Sequence, residues 1–381
     1  MASFQQQPPT RIKLRRDAII HAIAFHDEMY AVGDDEALTV VDAATDHSIR
    51  RFEDMGTVLS VCFVGDRVAA GTLRGVVTLR KMCDHETWDG ACGCGSDELA
   101  LAPAGSDPAG VRAIAAAGSR LAAGDAAGRV CVWYVGEAGA QPLFSLKAAK
   151  DRTCAVEGLA LQGTSLVVAR SALGATQVPL LSAWGLHNDT PPEVSWSSDE
   201  EENEDASDDG DDFDPWHPSL VQRLVVNPAT ENVDVHAVAR SDTMLVAGAS
   251  DGSVAAFHAT TFEVRWRGSV GASVQAIALA AGRIITVPVG VGAAAAPIYI
   301  RNGEIADCVA LAPPARKPIG GENCDGCGTP ALVWDGSVQQ GCPVCSAGAV
   351  VNACALARDG KRLLAGGYDR SLHAWDLSSD R

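Results

Sequence analysis

Two pairs of cysteines at metal-ligand spacing are the strongest chemical signal in the chain. Cys324 and Cys327 form one C-x-x-C knuckle, Cys342 and Cys345 a second, and fourteen residues separate the two. Four thiolates so placed can converge into a tetrahedron, the geometry Zn²⁺ prefers, and their softness suits that ion. The intervening Ala331–Val338 stretch is of hairpin length, Gly328 lets backbone amides turn toward the sulfurs, and Pro343 stiffens the second knuckle. The expected cofactor is therefore structural Zn²⁺, with iron as the alternative metal. Four protein ligands leave no open position, so a catalytic metal is not expected.

A second group, Cys83, His85, Cys92 and Cys94, places four potential ligands within twelve residues. Two readings stand for it, a second metal site or free thiols in an exposed loop. The remaining five cysteines, Cys62, Cys131, Cys154, Cys308 and Cys354, lie in or beside apolar runs and read as small buried hydrophobes. Machinery for catalysis is missing from the sequence: no G-x-S-x-G elbow, phosphate-binding loop, dinucleotide fingerprint or H-E-x-x-H occurs. The nine histidines are scattered. An enzyme is not expected.

The third chemical feature is electrostatic. Eleven of the sixteen residues from Asp199 to Asp214 are acidic and none is basic. Such a block repels itself and cannot repay its ordering entropy, which predicts a disordered loop. It is either a solvating spacer or a tether for a basic partner, with Trp196, Phe213 and Trp216 as anchors at its edges. Ser197 and Ser198 each have an acid three residues on, as an acidophilic kinase requires, and are candidate phosphorylation sites.

What must position these groups is a repeat. A six-residue phrase, Val or Ile, then a variable, a small and an apolar residue, Ala or Cys, and usually Phe or Leu, starts at Ile20, Val58, Val111, Val156, Val235, Val274 and Val351. Short apolar runs bounded by turn residues are buried strands. About a dozen residues later a second phrase aligns without gaps in five copies, counted from Ala31, Ala70, Ala123, Ala247 and Ala365. The next position holds Val32, Gly71, Gly124, Gly248 or Gly366, and the tenth holds Val41, Arg80, Trp133, Phe257 or Trp375, with a tight turn between them. The copies following Val156 and Val274 lack this second half.

On these residues the chain resembles the WD-repeat family of β-propellers. Leu364–Asp376 (LAGGYDRSLHAWD) carries the fullest likeness, and Trp133 and Phe257 fill the slot of Trp375 in weaker copies. No Gly-His dipeptide occurs and only the last copy has Trp-Asp, so the side-chain network that such a histidine joins in typical members is not expected. Seven phrases imply an all-β, seven-bladed propeller of four-stranded blades over residues 10–381. Closure needs the last blade completed by the other terminus. Arg11–Arg16 alternates charged and apolar residues and is read as that outer strand, against the rival reading of a basic localisation signal. Phrase starts lie 38, 53, 45, 79, 39 and 77 residues apart, whereas a blade needs about 40. The excess defines three insertions: 83–109, rich in Cys and Gly; 186–218, acidic and disordered; and 313–348, which resembles a zinc ribbon, or a rubredoxin-like centre if the metal is iron.

In the family that the chain resembles, contacts concentrate where the innermost strands begin. The second position of each phrase would face that way, giving His21, Arg112, Glu157, His236, Gln275 and Asn352 as candidate partner-binding residues, with Asp234 immediately before its phrase. The resemblance implies a non-catalytic scaffold that assembles a multiprotein complex. The alternative is a ubiquitin-ligase substrate receptor, or a chromatin or ribosome-assembly adaptor with a basic partner. Cullin-type receptors usually carry Trp-Asp-x-Arg, and Trp375-Asp376-Leu377 is followed here by Ser378.

Composition sets the remaining limits. A net charge of −18 argues against broad binding to nucleic acid or anionic lipid. Outside the acidic run only 37 acids face 30 bases, so the ring itself is mildly acidic. Residues 1–10 are polar and show no secretory signal, and the longest uncharged stretch, Ile284–Ile300, is 17 residues broken by two prolines. The expected location is cytoplasmic or nuclear, not secreted and not membrane-bound, with proteins or peptides as partners.

Overall fold

The computed structural model describes residues 10–12, 18–82, 96–100, 108–146, 154–172, 180–186, 219–230, 233–271, 273–288, 296–301, 304–308, 333–334, 337–338, 351–367 and 370–378. These hold thirty strands and no helix. Strand β1 is Thr10–Ile12. Sheet 1 is β2–β5 (Ile20–His26, Met29–Asp34, Leu38–Asp42, Ser48–Phe52), and sheet 2 is β6–β9 (Val58–Val64, Arg67–Thr72, Val76–Lys81, Ser96–Ala100). Sheet 3 is β10–β13 (Val111–Ala117, Arg120–Asp125, Val130–Gly136, Gly139–Leu146), and sheet 4 is β14–β17 (Cys154–Gln162, Ser165–Ala172, Leu181–Gly185, Ser219–Arg223). Sheet 5 is β18–β21 (Val235–Arg240, Met244–Ala249, Ser253–His258, Val264–Ser269), and sheet 6 is β22–β25 (Val274–Ala280, Arg283–Pro288, Ala296–Arg301, Glu304–Cys308). A separate two-stranded ladder pairs β26 (Val333–Trp334) with β27 (Ser337–Val338). Sheet 7 is β28 (Val351–Leu356), β29 (Arg362–Gly367) and β30 (Leu372–Asp376), with β1 added antiparallel to β30.

Every sheet is an antiparallel meander in chain order, apart from the N-terminal strand at the edge of sheet 7. Side chains are described in three or more strands of six sheets, and in β22 and β23 of sheet 6. The seven repeated phrases are the innermost strands. Each packs against the inner strand of the next sheet, and β28 packs against β2, which closes the circle. The arrangement is a β-propeller.

Its core is a series of slabs between neighbouring sheets rather than one central mass. One slab packs Val64, Val77 and Leu79 of sheet 2 on Leu121, Cys131 and Trp133 of sheet 3. Another packs Ile20, Tyr30 and Val41 of sheet 1 on Ile12, Leu364 and Leu372 of sheet 7. The aromatic slot of the second phrase serves these slabs: Trp133 and Trp375 are 4 % exposed and Phe257 1 %.

Glycine sets how closely the sheets approach. A Cβ on Gly71, Gly124 or Gly248 would lie 2.6, 2.3 or 2.5 Å from a methyl of Val111, Val156 or Val274, the first residue of the next inner strand. Gly366 meets Ile20 in the same way. In sheet 1 that post is held by Gly33, 2.5 Å from Val58, and not by Val32 as the gapless alignment has it. Gly33 pairs with Ala22 as Gly71 pairs with Ser60. Its turn is one residue shorter, with Asp34 to Ala37 where sheet 2 has Thr72 to Val76 before the same strand position. In sheet 4 the small residue moves to the inner strand: Gly158 faces Ala169 and would meet Val238 at 2.9 Å.

Candidate functional site

All seven inner strands share one irregularity. The register slips at the second residue of each repeated phrase: His21, Leu59, Arg112, Glu157, His236, Gln275 and Asn352. A bulged residue is left out of the ladder and its side chain is re-aimed. Repetition around the circle gathers these side chains, with the turns linking second and third strands, on one rim. The structure thus brings the predicted partner-binding residues to equivalent positions at one end of the fold.

Their chemistry differs around that rim. His21 Nε2 lies 2.7 Å from Asp35 Oδ1, while the Ile19 N–H donates to Asp35 Oδ2 at 3.2 Å. The Thr57 hydroxyl of the following sheet donates to the Asp35 carbonyl at 3.1 Å. Arg112 and Glu157, two separate candidates in the sequence, form an ion pair between sheets 3 and 4, and Ser171 Oγ donates to the same carboxylate at 2.7 Å. Asn352 Nδ2 donates to the Ile20 carbonyl at 3.2 Å, joining sheets 7 and 1. Gln275 stands exposed, whereas His236 Nε2 is buried with no hydrogen-bond partner among the described residues. The Asp234 carbonyl accepts from Ser250 N at 2.8 Å.

One arc is apolar. Leu59 and Leu73 flank Gly110, Leu73 is 59 % exposed, and the adjacent Arg74 is exposed without an ion pair among the described residues. Sequence reasoning missed Leu73 and Arg74 because a turn residue carries no periodicity. A leucine where the matching turns of sheets 3 and 5 place Ala126 and Ser250 is the signal that could have found it.

Beneath the rim, buried carboxylates lock the turns. Asp34, 2 % exposed, accepts from Glu36 N and Ala37 N at 2.8 and 2.7 Å and from Arg51 Nη1 at 3.1 Å. Asp125, fully buried, accepts from Ala127 N, Arg129 N and Arg129 Nε at 3.0, 2.9 and 2.6 Å. The equivalent of Asp34 and Asp125 in sheet 4 is Arg170, whose Nη1 donates to Ser182 Oγ at 3.2 Å; burial pushes its guanidinium down to about 10.

At the opposite end, arginines tie sheet to sheet. Arg120 donates to the Gly163 carbonyl at 2.7 Å, and Arg283 to the Gly360 and Leu377 carbonyls, both at 2.9 Å. Arg240 donates to Ser165 Oγ at 3.1 Å, and Arg67 to the Gly136 carbonyl at 3.4 Å. Arg362 reaches the Ala43 carbonyl and pairs with both oxygens of Asp46 at 2.7 and 2.8 Å. Tyr30 donates to the same carboxylate at 3.0 Å, and burial raises its phenol well above the usual range. Arginine directly after the first turn, in Arg67, Arg120, Arg283 and Arg362, was a legible signal that the sequence reading did not use.

Among the described residues no group of three or more His, Cys, Asp or Glu could hold a metal ion, and no helix is long and apolar enough to cross a membrane. Cys324, Cys327, Cys342 and Cys345, the group Cys83, His85, Cys92 and Cys94, the acidic run, and Ser197 and Ser198 lie outside the described residues. Cys62, Cys154 and Cys354 are free thiols; Cys131 and Cys154 are buried, Cys62 and Cys354 half-buried.

The class the fold defines is the β-propeller, and comparison with known proteins agrees. Residues 341–376 match the family "WD domain, G-beta repeat". No curated protein matches the chain in sequence. Among solved structures, a chain of the "Mitotic Checkpoint Complex" is similar with a TM-score of 0.61 at 14 % identity, over 99 % of this chain and 93 % of that one. "U3-55K" is similar with a TM-score of 0.62 at 12 % identity, over 97 % and 98 % of the two chains. The "RRP9 WD40 repeats" follow with a TM-score of 0.60 at 12 % identity, over 98 % and 99 %. Likeness at these identities is a likeness of fold.

Proposed function

We propose that this chain is a seven-bladed WD-repeat propeller acting as a non-catalytic scaffold, which holds partner proteins or peptides on the rim where the inner strands begin. The observation that carries the reading is the bulge repeated at the second residue of all seven phrases, in every inner strand. It frees seven side chains of differing chemistry from pairing duty while the ladders beneath stay intact. A surface so built changes specificity without changing the fold. Leu59 and Leu73 offer an apolar anchor with Arg74 next in the chain, a combination suited to a peptide pairing an apolar side chain with an acid. Affinity purification of the intact chain, compared with an Arg112→Ala/Asp234→Ala/His236→Ala variant, tests the face. Partners are expected to drop out of the variant; identical partner lists would sink the assignment.

A chromatin or ribosome-assembly adaptor with a basic partner is a second reading, favoured by the eleven acids of the 199–214 run. A cytoplasmic or nuclear location suits both readings, and neither involves direct binding of nucleic acid or membrane. We further propose that Cys324, Cys327, Cys342 and Cys345 hold one structural Zn²⁺. Between the two knuckles, Val333 pairs with Val338 and Trp334 with Ser337, a minimal hairpin of the kind that returns one pair of thiolates to the other. Metal analysis is expected to give about one equivalent more Zn²⁺ in the wild type than in Cys324→Ala; equal contents would remove the site.

A further inference from the structure

The outer edge of sheets 4 and 5 is unlike the rest of the perimeter. Five large apolar side chains stand exposed among the described residues, and four of them, Leu220, Val221, Val225 and Val264, lie on or beside the outer strands β17 and β21. All five residues of β17 are exposed. Arg223, Arg265 and Arg267 stand exposed on the same two strands, and none has a carboxylate partner among the described residues. In sheets 1 and 2, by contrast, Arg51 pairs with Asp34 and Arg80 with Asp54. Arg267 Nη2 donates to the Val225 carbonyl at 3.1 Å, so the two edges form one continuous surface. The register slips at Val221 and at Arg265, which turns those side chains out of the ladders.

An apolar patch rimmed by uncompensated cations selects an acidic partner that also carries large apolar side chains. The chain holds one beside it. The acidic run ends at Asp214, five positions before β17 begins at Ser219, and Phe213 and Trp216 lie at its end. At about 3.3 Å per residue, Trp216 is within roughly 10 Å of chain from the first residue of β17. A tether that short gives a high effective concentration at the patch.

We propose that the segment 199–216 docks in cis on this edge, its carboxylates facing Arg223, Arg265 and Arg267 while Phe213 and Trp216 cover Leu220, Val221 and Val264. The run is then not a free polyanion: a basic ligand must compete with three arginines of the chain itself. This inference is independent of the rim's role in binding. Hydrogen exchange by mass spectrometry on the full chain tests it, following peptides from residues 205–218 at short labelling times. At low salt these amides are expected to exchange about tenfold more slowly in the wild type than in Arg223→Glu/Arg265→Glu/Arg267→Glu, as three surface pairs imply. Phe213→Ala/Trp216→Ala is expected to lose the same protection, and 0.5 M salt most of it. Unchanged exchange in β18 to β20 verifies that each variant is folded. Exchange at the free-chain rate in the wild type, or protection indifferent to reversal of the arginines, would overturn the proposal; the second result would leave the edge to an acidic partner from outside.

Discussion

Substituting Gly124 by alanine should wedge sheets 3 and 4 apart. The added Cβ would lie 2.3 Å from Val156 Cγ1, 2.7 Å from its Cβ and 3.1 Å from Cγ2. Ordinary carbon contacts begin near about 3.5 Å, so the neighbour must retreat by roughly 1 Å. Val156 is fully buried and β-branched, which leaves its side chain almost no rotamer to escape into. Overpacking of this kind costs about 1–3 kcal/mol, and the closeness of this contact points to the upper end. Val156→Ala alone removes two buried methyl groups, for about 2 kcal/mol. In the double variant the clashes with the two γ-methyls go, but Val156 Cβ stays 2.7 Å from the new methyl, so only part of the overpacking is relieved. The expected coupling is about 1 kcal/mol in favour of the pair. Guanidinium unfolding of the four proteins, compared by midpoint at constant slope, measures it. Strict additivity, or a neutral Gly124→Ala, would refute the claim that glycine spacing sets the approach of the sheets.

Two further outcomes follow from the buried groups. Arg362→Ala leaves Asp46 with Tyr30 alone and removes the tie between sheets 7 and 1; a loss of about 1–2 kcal/mol is expected for this half-buried pair, and a denaturation midpoint equal to wild type would count against the latch. Burial pushes the thiols of Cys62 and Cys354 up to about 12, and that of Cys131 up to about 11. A pKa raised in the folded state stabilises fully below the unfolded value of 9.0 and is lost as pH rises through the folded value. Stability should therefore fall between pH 9 and about 12, and less steeply in Cys62→Ala; a flat profile over that window would contradict the burial of these thiols.

The inner strands were legible because a buried strand cannot hide its apolar run: all seven phrases are strands, and each begins within two residues of its observed start. The aromatic slot of Trp133, Phe257 and Trp375 was legible for the same reason. The gapless alignment failed at Gly33 because contact with the next sheet fixes the glycine, whereas turn length varies freely behind it. Cross-sheet pairs such as Arg112 with Glu157, 45 positions apart, were invisible individually. Sequence spacing carries no trace of which side chains a closed ring will make neighbours.

Strand β1 imposes an order in time. Its partner β30 begins 360 residues after Ile12, and at about 5–20 residues per second a ribosome needs on the order of 20–70 s to supply it. Until then the first-made strand has no ladder to join, and sheet 1 presents Ile20 and Tyr30 without the slab that buries them. Every intermediate length is an open arc with two sticky ends. The completed molecule is thus a late, all-or-none event in synthesis, and truncation anywhere before Leu372 should yield chains that depend on chaperones rather than smaller propellers.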